Sequence, residues 1–393
     1  MLKKIKSKKI LNIILEKIKM RLKLNIIKYN KLLQDKINII KKDFEDFKLI
    51  KELNTIFNLY IKDIEINIFD ASEKNIGNDI FDYLNKIEFY KLKQIKLDKN
   101  QISEIKLTEN ISVKNLEVLD LSFNKISDID MFQTIDLEEL KELNLSYNEI
   151  KLINKSVCVK FEKLEILNLS GNKIFNIDVL EKVDFKKLKE LYLSVNKIKN
   201  IKVLEKVKFE KLEILNLDGN KISDIDVLEK VNFNELKVLN LSNNDIRDID
   251  VLEKAKFEKL EKLFLNSNKI SDISLFEKIN FKGLNILDLN ANEIKYIDKL
   301  EGMKCEKLEK LDLSANKLTD ISVFERVNFK ELKELNLSYN KIKDINILEK
   351  VKFEKLEKLD LDGNKISDIS VFERANFKEL KKLNLVDNEF TNI

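Results

Sequence analysis

The stretch Leu236 to Ile249, LKVLNLSNNDIRDI, fits the frame LxxLxLxxNxIxxI, and that frame recurs every 24 residues. Its asparagine stands at 100, 124, 148, 172, 196, 220, 244, 268, 292, 316, 340, 364 and 388, thirteen copies without a slip. A chain repeating at this interval cannot gather its apolar residues into one central core. Each unit buries its hydrophobic face only against the next, so the architecture is a stack of short coils. Length stops bearing on domain count, because a stack grows by addition.

Inside the frame the chemistry is legible. Leu239 and Leu241 sit two apart on a short strand, so both point inward, while Val238 and Asn240 face outward on the concave side. Ile246 and Ile249 return the chain to the core. Asn244 offers a carbonyl and an amide to backbone groups leaving the strand, and stacked copies form a ladder. Beyond it, Asp250 with Glu253, Asp226 with Glu229, Ser322 with Glu325 and Ser370 with Glu373 have the spacing of a capping box, which predicts a convex helical or 3₁₀ turn of roughly eight residues. Phe209, Phe233, Phe257 and Phe281 then fill one buried column, where Cys305 takes a later turn as a small hydrophobe.

These residues identify 92–393 as similar to the leucine-rich repeat family. The short outer segments resemble its protein-phosphatase-regulator subclass, whose repeat is typically two residues shorter. The resemblance implies an α/β repeat solenoid: a leucine-rich repeat arc with a parallel concave sheet, short convex helical or 3₁₀ turns, and a concave face that serves as a protein-binding scaffold. Residues 61–91 look like a degenerate first repeat, with IEINIF as a strand and Gly77-Asn78 as a turn, and are expected to be the N-terminal cap. The chain stops at Ile393, half-way through the thirteenth copy, so that end is covered by a partner, frays, or continues in a longer chain.

Residues 1–60 contain neither Gly nor Pro and read as a basic α-helical module, with Ile10, Ile14 and Ile18 four apart and a later piece through Phe44, Phe47, Ile50, Leu53 and Phe57. Residues 1–42 hold fourteen Lys and Arg against Glu16 and Asp35, a local net of +12 in a chain whose net is +4. One reading is a helical cap with solvated lysines. A second is attachment to nucleic acid or an acidic membrane surface, which the lack of glycine-rich loops and aromatic stacking platforms argues against. A third is a weak resemblance to an F-box, carried by the spacing of Ile10, Ile14, Leu24, Ile27 and Leu33 but without the usual Leu-Pro and Trp. That resemblance implies a substrate receptor whose residues 1–45 bind a ubiquitin-ligase adaptor.

One column of charges alternates in sign: Lys93, Glu117, Lys141, Glu165, Lys189, Glu213, Lys237, Glu261, Asn285, Glu309, Lys333, Glu357, Lys381. Neighbours in such a column lie roughly 5 Å apart. The charges therefore fasten the stack and need no ligand. Residues 306–340 and 354–388 are nearly the same sequence offset by 48, so the duplicating unit is a pair of repeats.

On the concave columns most residues are Asn, Asp, Glu or Lys. A run of apolar residues lines up in the fourth to ninth copies: Ile166, Tyr192, Ile214, Val238, Phe264 and Ile286. An apolar strip rimmed by polar residues, with aromatic anchors, suits a protein partner. The competing reading is that Val and Ile simply favour strands.

No His is present, which removes Ser-His-Asp, Cys-His and zinc–histidine chemistry. The six glycines form no phosphate-cradling loop, and Cys158 and Cys305 stand about six repeats apart, roughly 29 Å in a stack of strands and beyond disulfide reach. No catalytic residue, metal or cofactor is expected. Without a signal-peptide core or any run of about 18 apolar residues, the expected setting is intracellular, in the cytoplasm, with no transmembrane segment.

Overall fold

The computed structural model describes residues 41–57, 66–87, 89, 91–108, 113–133, 135–153, 161–183 and 185–390. The expectations resting on residues 1–40, including the F-box-like spacing of Ile10, Ile14, Leu24, Ile27 and Leu33, lie outside them, as does Cys158. Two compact units are distinguished, residues 1–164 and 165–393.

In the first unit, helix α1 (Lys41–Ile56) buries Ile50 and Leu53, and Phe57 at its end meets Tyr83 edge-on with ring centroids 5.7 Å apart. Tyr83 belongs to the short helix α2 (Ile80–Leu84), which follows strand β1 (Ile68–Asp70). Parallel pairing runs from β1 to β2 (Gln94–Lys96), β3 (Val118–Asp120) and β4 (Glu142–Asn144). The degenerate segment is thus a coil in register with the repeats.

The second unit carries ten parallel strands at 24-residue steps, from β5 (Ile166–Asn168) to β14 (Lys382–Asn384). Three-residue strands suffice because from β5 to β12 only the central leucine of each is buried, with a half-exposed neighbour on either side. Behind β8 (Val238–Asn240), Leu236, Leu239, Leu241, Ile246, Ile249 and Leu252 are at most 1% exposed. The phenylalanine column stacks: Phe185 on Phe209 with centroids 6.0 Å apart, and Phe209 on Phe233 at 6.4 Å. Cys305 fills its place in that column as a buried free thiol, which burial pushes up to about 12.

The asparagines make the predicted ladder. Asn244 Nδ2 donates to the carbonyls of Leu241 (3.1 Å) and Ser242 (2.8 Å) in its own coil and of Leu217 (3.0 Å) in the coil before. Its Oδ1 accepts from the Ile222 amide at 2.9 Å. Access to these groups requires a sharp exit from the strand. The residue just before the asparagine is left-handed in copy after copy, among them Phe123 (φ 52°), Tyr147 (53°), Val195 (52°), Asn243 (50°) and Tyr339 (52°). Glycine takes this place only as Gly171, Gly219 and Gly363. A left-handed residue with a Cβ costs roughly 1–2 kcal/mol, and a β-branched one such as Val195 is the hardest to place there.

The convex turns correct the capping-box expectation. Those of the repeats that are described take the 3₁₀ alternative and span three to five residues, such as Asp250–Glu253 and Ser322–Glu325, rather than eight. No side-chain cap is made at Ile249, which precedes the first of these. The Asp250 amide, which Glu253 would reach in a capping box, is already taken by another side chain. The Asp248 carboxylate accepts the Asp250 amide (2.9 Å), as Asp320 does for Ser322 (2.7 Å). Released from that role, Glu253 reaches Lys278 of the next coil at 3.4 Å. Glu229 likewise reaches Lys254 and Glu301 reaches Arg326, which makes a second charge ladder.

The alternating column is paired one-sidedly in the second unit. Lys189 bonds Glu165 and Lys237 bonds Glu213, both at 2.6 Å, while Glu261 acts on Lys237 only through its charge. In the first unit Glu117 is bridged from both sides, by Lys141 (2.7 Å) and Lys93 (2.5 Å). Exposed pairs contribute about 0.2–1 kcal/mol each and serve register more than stability.

Two outcomes test these contacts. Asn244→Ala leaves a buried amide and buried carbonyls unpaired and should cost on the order of 3 kcal/mol in denaturant unfolding; a loss below about 0.5 kcal/mol would refute the ladder's importance. Lys141 and Lys93 hold the Glu117 carboxyl down at about 2, against 4.5 unperturbed. Because the folded value is the lower, Glu117's contribution is present above pH 4.5 and is lost as pH falls towards about 2. Lys141→Met should move the midpoint up, followed by NMR of the Glu117 carboxyl; an unmoved midpoint contradicts the assignment.

Candidate functional site

The outward face of the second unit's sheet consists of two columns, the first and third residues of every strand. The apolar candidates divide between them. Ile166, Ile214, Val238 and Ile286 lie in the first column; Tyr192 and Phe264 lie in the third, on strands β6 (Glu190–Tyr192) and β9 (Lys262–Phe264). All six are half-buried. The register places Ile214 directly beside Val238. It does not bring Ile166 beside Ile214, because Glu190 stands between them, nor Val238 beside Ile286, because Lys262 does.

Tyr192 is opposite Asn168 and Asn216, and Phe264 is opposite Asn240 and Asp288. Diagonal neighbours in a sheet are about 7–8 Å apart, within reach of an aromatic ring. The six therefore zigzag across the face, one per strand, with a charge inserted at each aromatic's own strand.

Tyr192 is not purely an anchor. Its hydroxyl donates to Glu190 Oε2 at 2.7 Å, and burial first, then that bond, pushes the phenol up to about 12. Lys262 has no carboxylate partner among the described residues and is flanked in its column by Val238 and Ile286. Sequence reasoning passed over these two charges. The signal was present, since both stand in the column from which the isoleucines were chosen.

Beyond β10 (Ile286–Asp288) the face becomes charged. Lys310, Asp312, Glu334, Lys358 and Asp360 line a depression of about 610 Å³. Glu334 is bridged to Lys310 at 3.7 Å and also, more closely, to Lys358. Asp288 and Asp312 are register partners, and burial raises the Asp288 carboxyl despite the Asn290 amide, with Asp312 adding to the rise. Their oxygens are committed locally. Asp288 accepts the Asn290 amide at 3.0 Å; Asp312 accepts the Ser314 amide at 3.0 Å and the Asn336 side chain at 3.0 Å. Such carboxylates shape turns rather than stand ready as an acid–base pair. Among the described residues no cluster of three or more His, Cys, Asp or Glu could hold a metal ion, and no helix is long and apolar enough to cross a membrane.

Sequence comparison matches the description "Leucine rich repeat" at residues 114–174 and 306–366, and "Leucine Rich repeats (2 copies)" at 186–230, 234–278 and 282–326. Together these cover more than half of the chain. No curated protein matches. Among solved structures, an internalin (inlF) from Listeria monocytogenes is similar with a TM-score of 0.69 and 23% identity, over 90% of this chain and 97% of that one. A leucine-rich repeat protein of Leptospira interrogans gives 0.65 and 22%, over 84% and 86%. A plant peptide hormone receptor, RGFR1 in complex with RGF2, gives 0.59 and 21%, over 78% of this chain and 49% of the receptor. At these identities the likeness is one of fold.

The hydroxyl contact can be read directly. The difference in ultraviolet absorbance between the wild type and Tyr192→Phe should show a phenol that stays neutral well above its ordinary 10.0 and ionises near 12. Glu190→Gln should leave it still raised, because burial is the larger cause. Ionisation near 10 in the wild type would contradict the contact.

Proposed function

We propose that this chain, which belongs to the leucine-rich repeat family, is a non-enzymatic scaffold that captures a protein partner on the outward face of its sheet. The observation that carries this reading is the zigzag from β5 to β10. Six successive strands each present one half-buried apolar side chain, where the other strands of the second unit present only polar or charged ones. Exposed apolar surface of this kind is retained where a partner covers it, and aromatic side chains supply disproportionate binding energy. The six residues Ile166, Tyr192, Ile214, Val238, Phe264 and Ile286 form the proposed footprint. Its span is about 24 Å at ordinary strand spacing, within what a standard interface of roughly 800 Å² per side covers.

The same fold holds RGF2 in the plant receptor, which supports a binding role without naming a partner here. An intracellular setting belongs to this reading. It is supported by only two cysteines in 393 residues, of which Cys305 is a buried free thiol.

Tyr192→Asp and Phe264→Asp test the proposal. Together they should weaken capture of the cellular partner by about a hundredfold, the scale set by losing two interface anchors. Melting temperature should stay within a few degrees, because neither residue is in the buried core. Undiminished capture by the double variant would overturn the assignment of this face.

A further inference from the structure

Resting on that reading, we infer that the occupant of the face is an amphipathic helix lying across strands β5 to β10, with an acidic residue near its N-terminal end over Lys262 and a basic residue near its C-terminal end over Glu190. The first column across these strands runs Ile166, Glu190, Ile214, Val238, Lys262, Ile286. Two charges of opposite sign thus stand three strands apart, each flanked by aliphatic residues and each with an aromatic on its own strand, Tyr192 beside Glu190 and Phe264 beside Lys262. Neither is used by the ion-pair ladders that fasten the coils. Among the described residues Glu190 accepts from the Tyr192 hydroxyl and acts on Lys189 only through its charge, while Lys262 meets no carboxylate. Charges held in an apolar strip without a salt-bridge partner specify the complementary charges of whatever covers them.

Spacing selects the conformation of the occupant. Strands succeed one another every ~4.8 Å, and the turns of a helix every ~5.4 Å, so a helix set along the stack offers about one apolar residue per strand. An extended peptide returns a side chain to the same face only every ~6.8 Å and falls out of step within two strands. Glu190 and Lys262 are about 14 Å apart, within about 2 Å of the roughly 15–16.5 Å between helix residues ten or eleven positions, or three turns, apart. Polarity follows from the helix dipole, which favours acids in the first turn and bases in the last.

The test is selection on the full-length protein from two displayed libraries of 18-residue peptides. One is built as amphipathic helices, the other from the same compositions interrupted by prolines. The wild type should enrich helices with an acid ten or eleven residues before a base, bound about tenfold more tightly than the charge-inverted sequence. Glu190→Lys with Lys262→Glu should enrich the reverse order, with unchanged melting as the control that the exchanged pair still folds. Preference for the proline library, absence of a charge order, failure of the order to reverse, or binding indifferent to Tyr192→Asp and Phe264→Asp would each overturn the inference. Loss of the cellular partner in the two Asp variants would still uphold the binding face in that event, so the two readings fail separately.

Discussion

Each ladder asparagine serves two coils with one side chain. It closes the bend at the end of its own strand and ties that bend to the preceding coil, so that Asn244 satisfies backbone groups of residues 217, 222, 241 and 242 together. A stack has an interior backbone that leaves its strands after three residues, and those groups find no sheet partner and no water. Leaving a buried polar group unpaired costs about 1–3 kcal/mol, so the asparagine is the condition under which the leucine layers can close. The left-handed residue in front of it is a consequence. Bringing the amide into the core demands that bend even where Val195, Phe123 or Tyr147 must adopt it.

The charges act at a different level. Core leucines and isoleucines are interchangeable between coils, so burial alone would tolerate a coil offset from its neighbour. Ion pairs such as Lys237–Glu213 and Lys278–Glu253, on opposite sides of the coil, add little stability but penalise misalignment. Most of the charged surface is consumed in this way. That is why Glu190 and Lys262, which share the sheet face with isoleucines and take no part in either ladder, stand out.

A regular scaffold makes its departures informative. Cys305 in the phenylalanine column is a packing variation, since it is buried and its thiol meets the Phe281 carbonyl at 3.5 Å. The departures on the sheet face cannot be explained by packing in the same way. Tyr192 and Phe264 replace Asn or Asp at positions the core does not constrain.

The coil period, the inward leucines, the asparagine ladder and the presence of an alternating charge column were all legible in the amino-acid order, because each depends on contacts between residues a fixed 24 positions apart. So was the outward placement of the six apolar residues, since alternation along a three-residue strand assigns faces without further information. Tertiary structure decided what depended on local hydrogen-bond competition and on distance. In the convex turns the Asp250 amide went to Asp248, and Glu253 turned sideways to Lys278 rather than back to a cap. The Tyr192 hydroxyl found Glu190, and register set Glu190 and Lys262 among the isoleucines. A period says which residues are equivalent; only the folded stack says which oxygen a given donor reaches first.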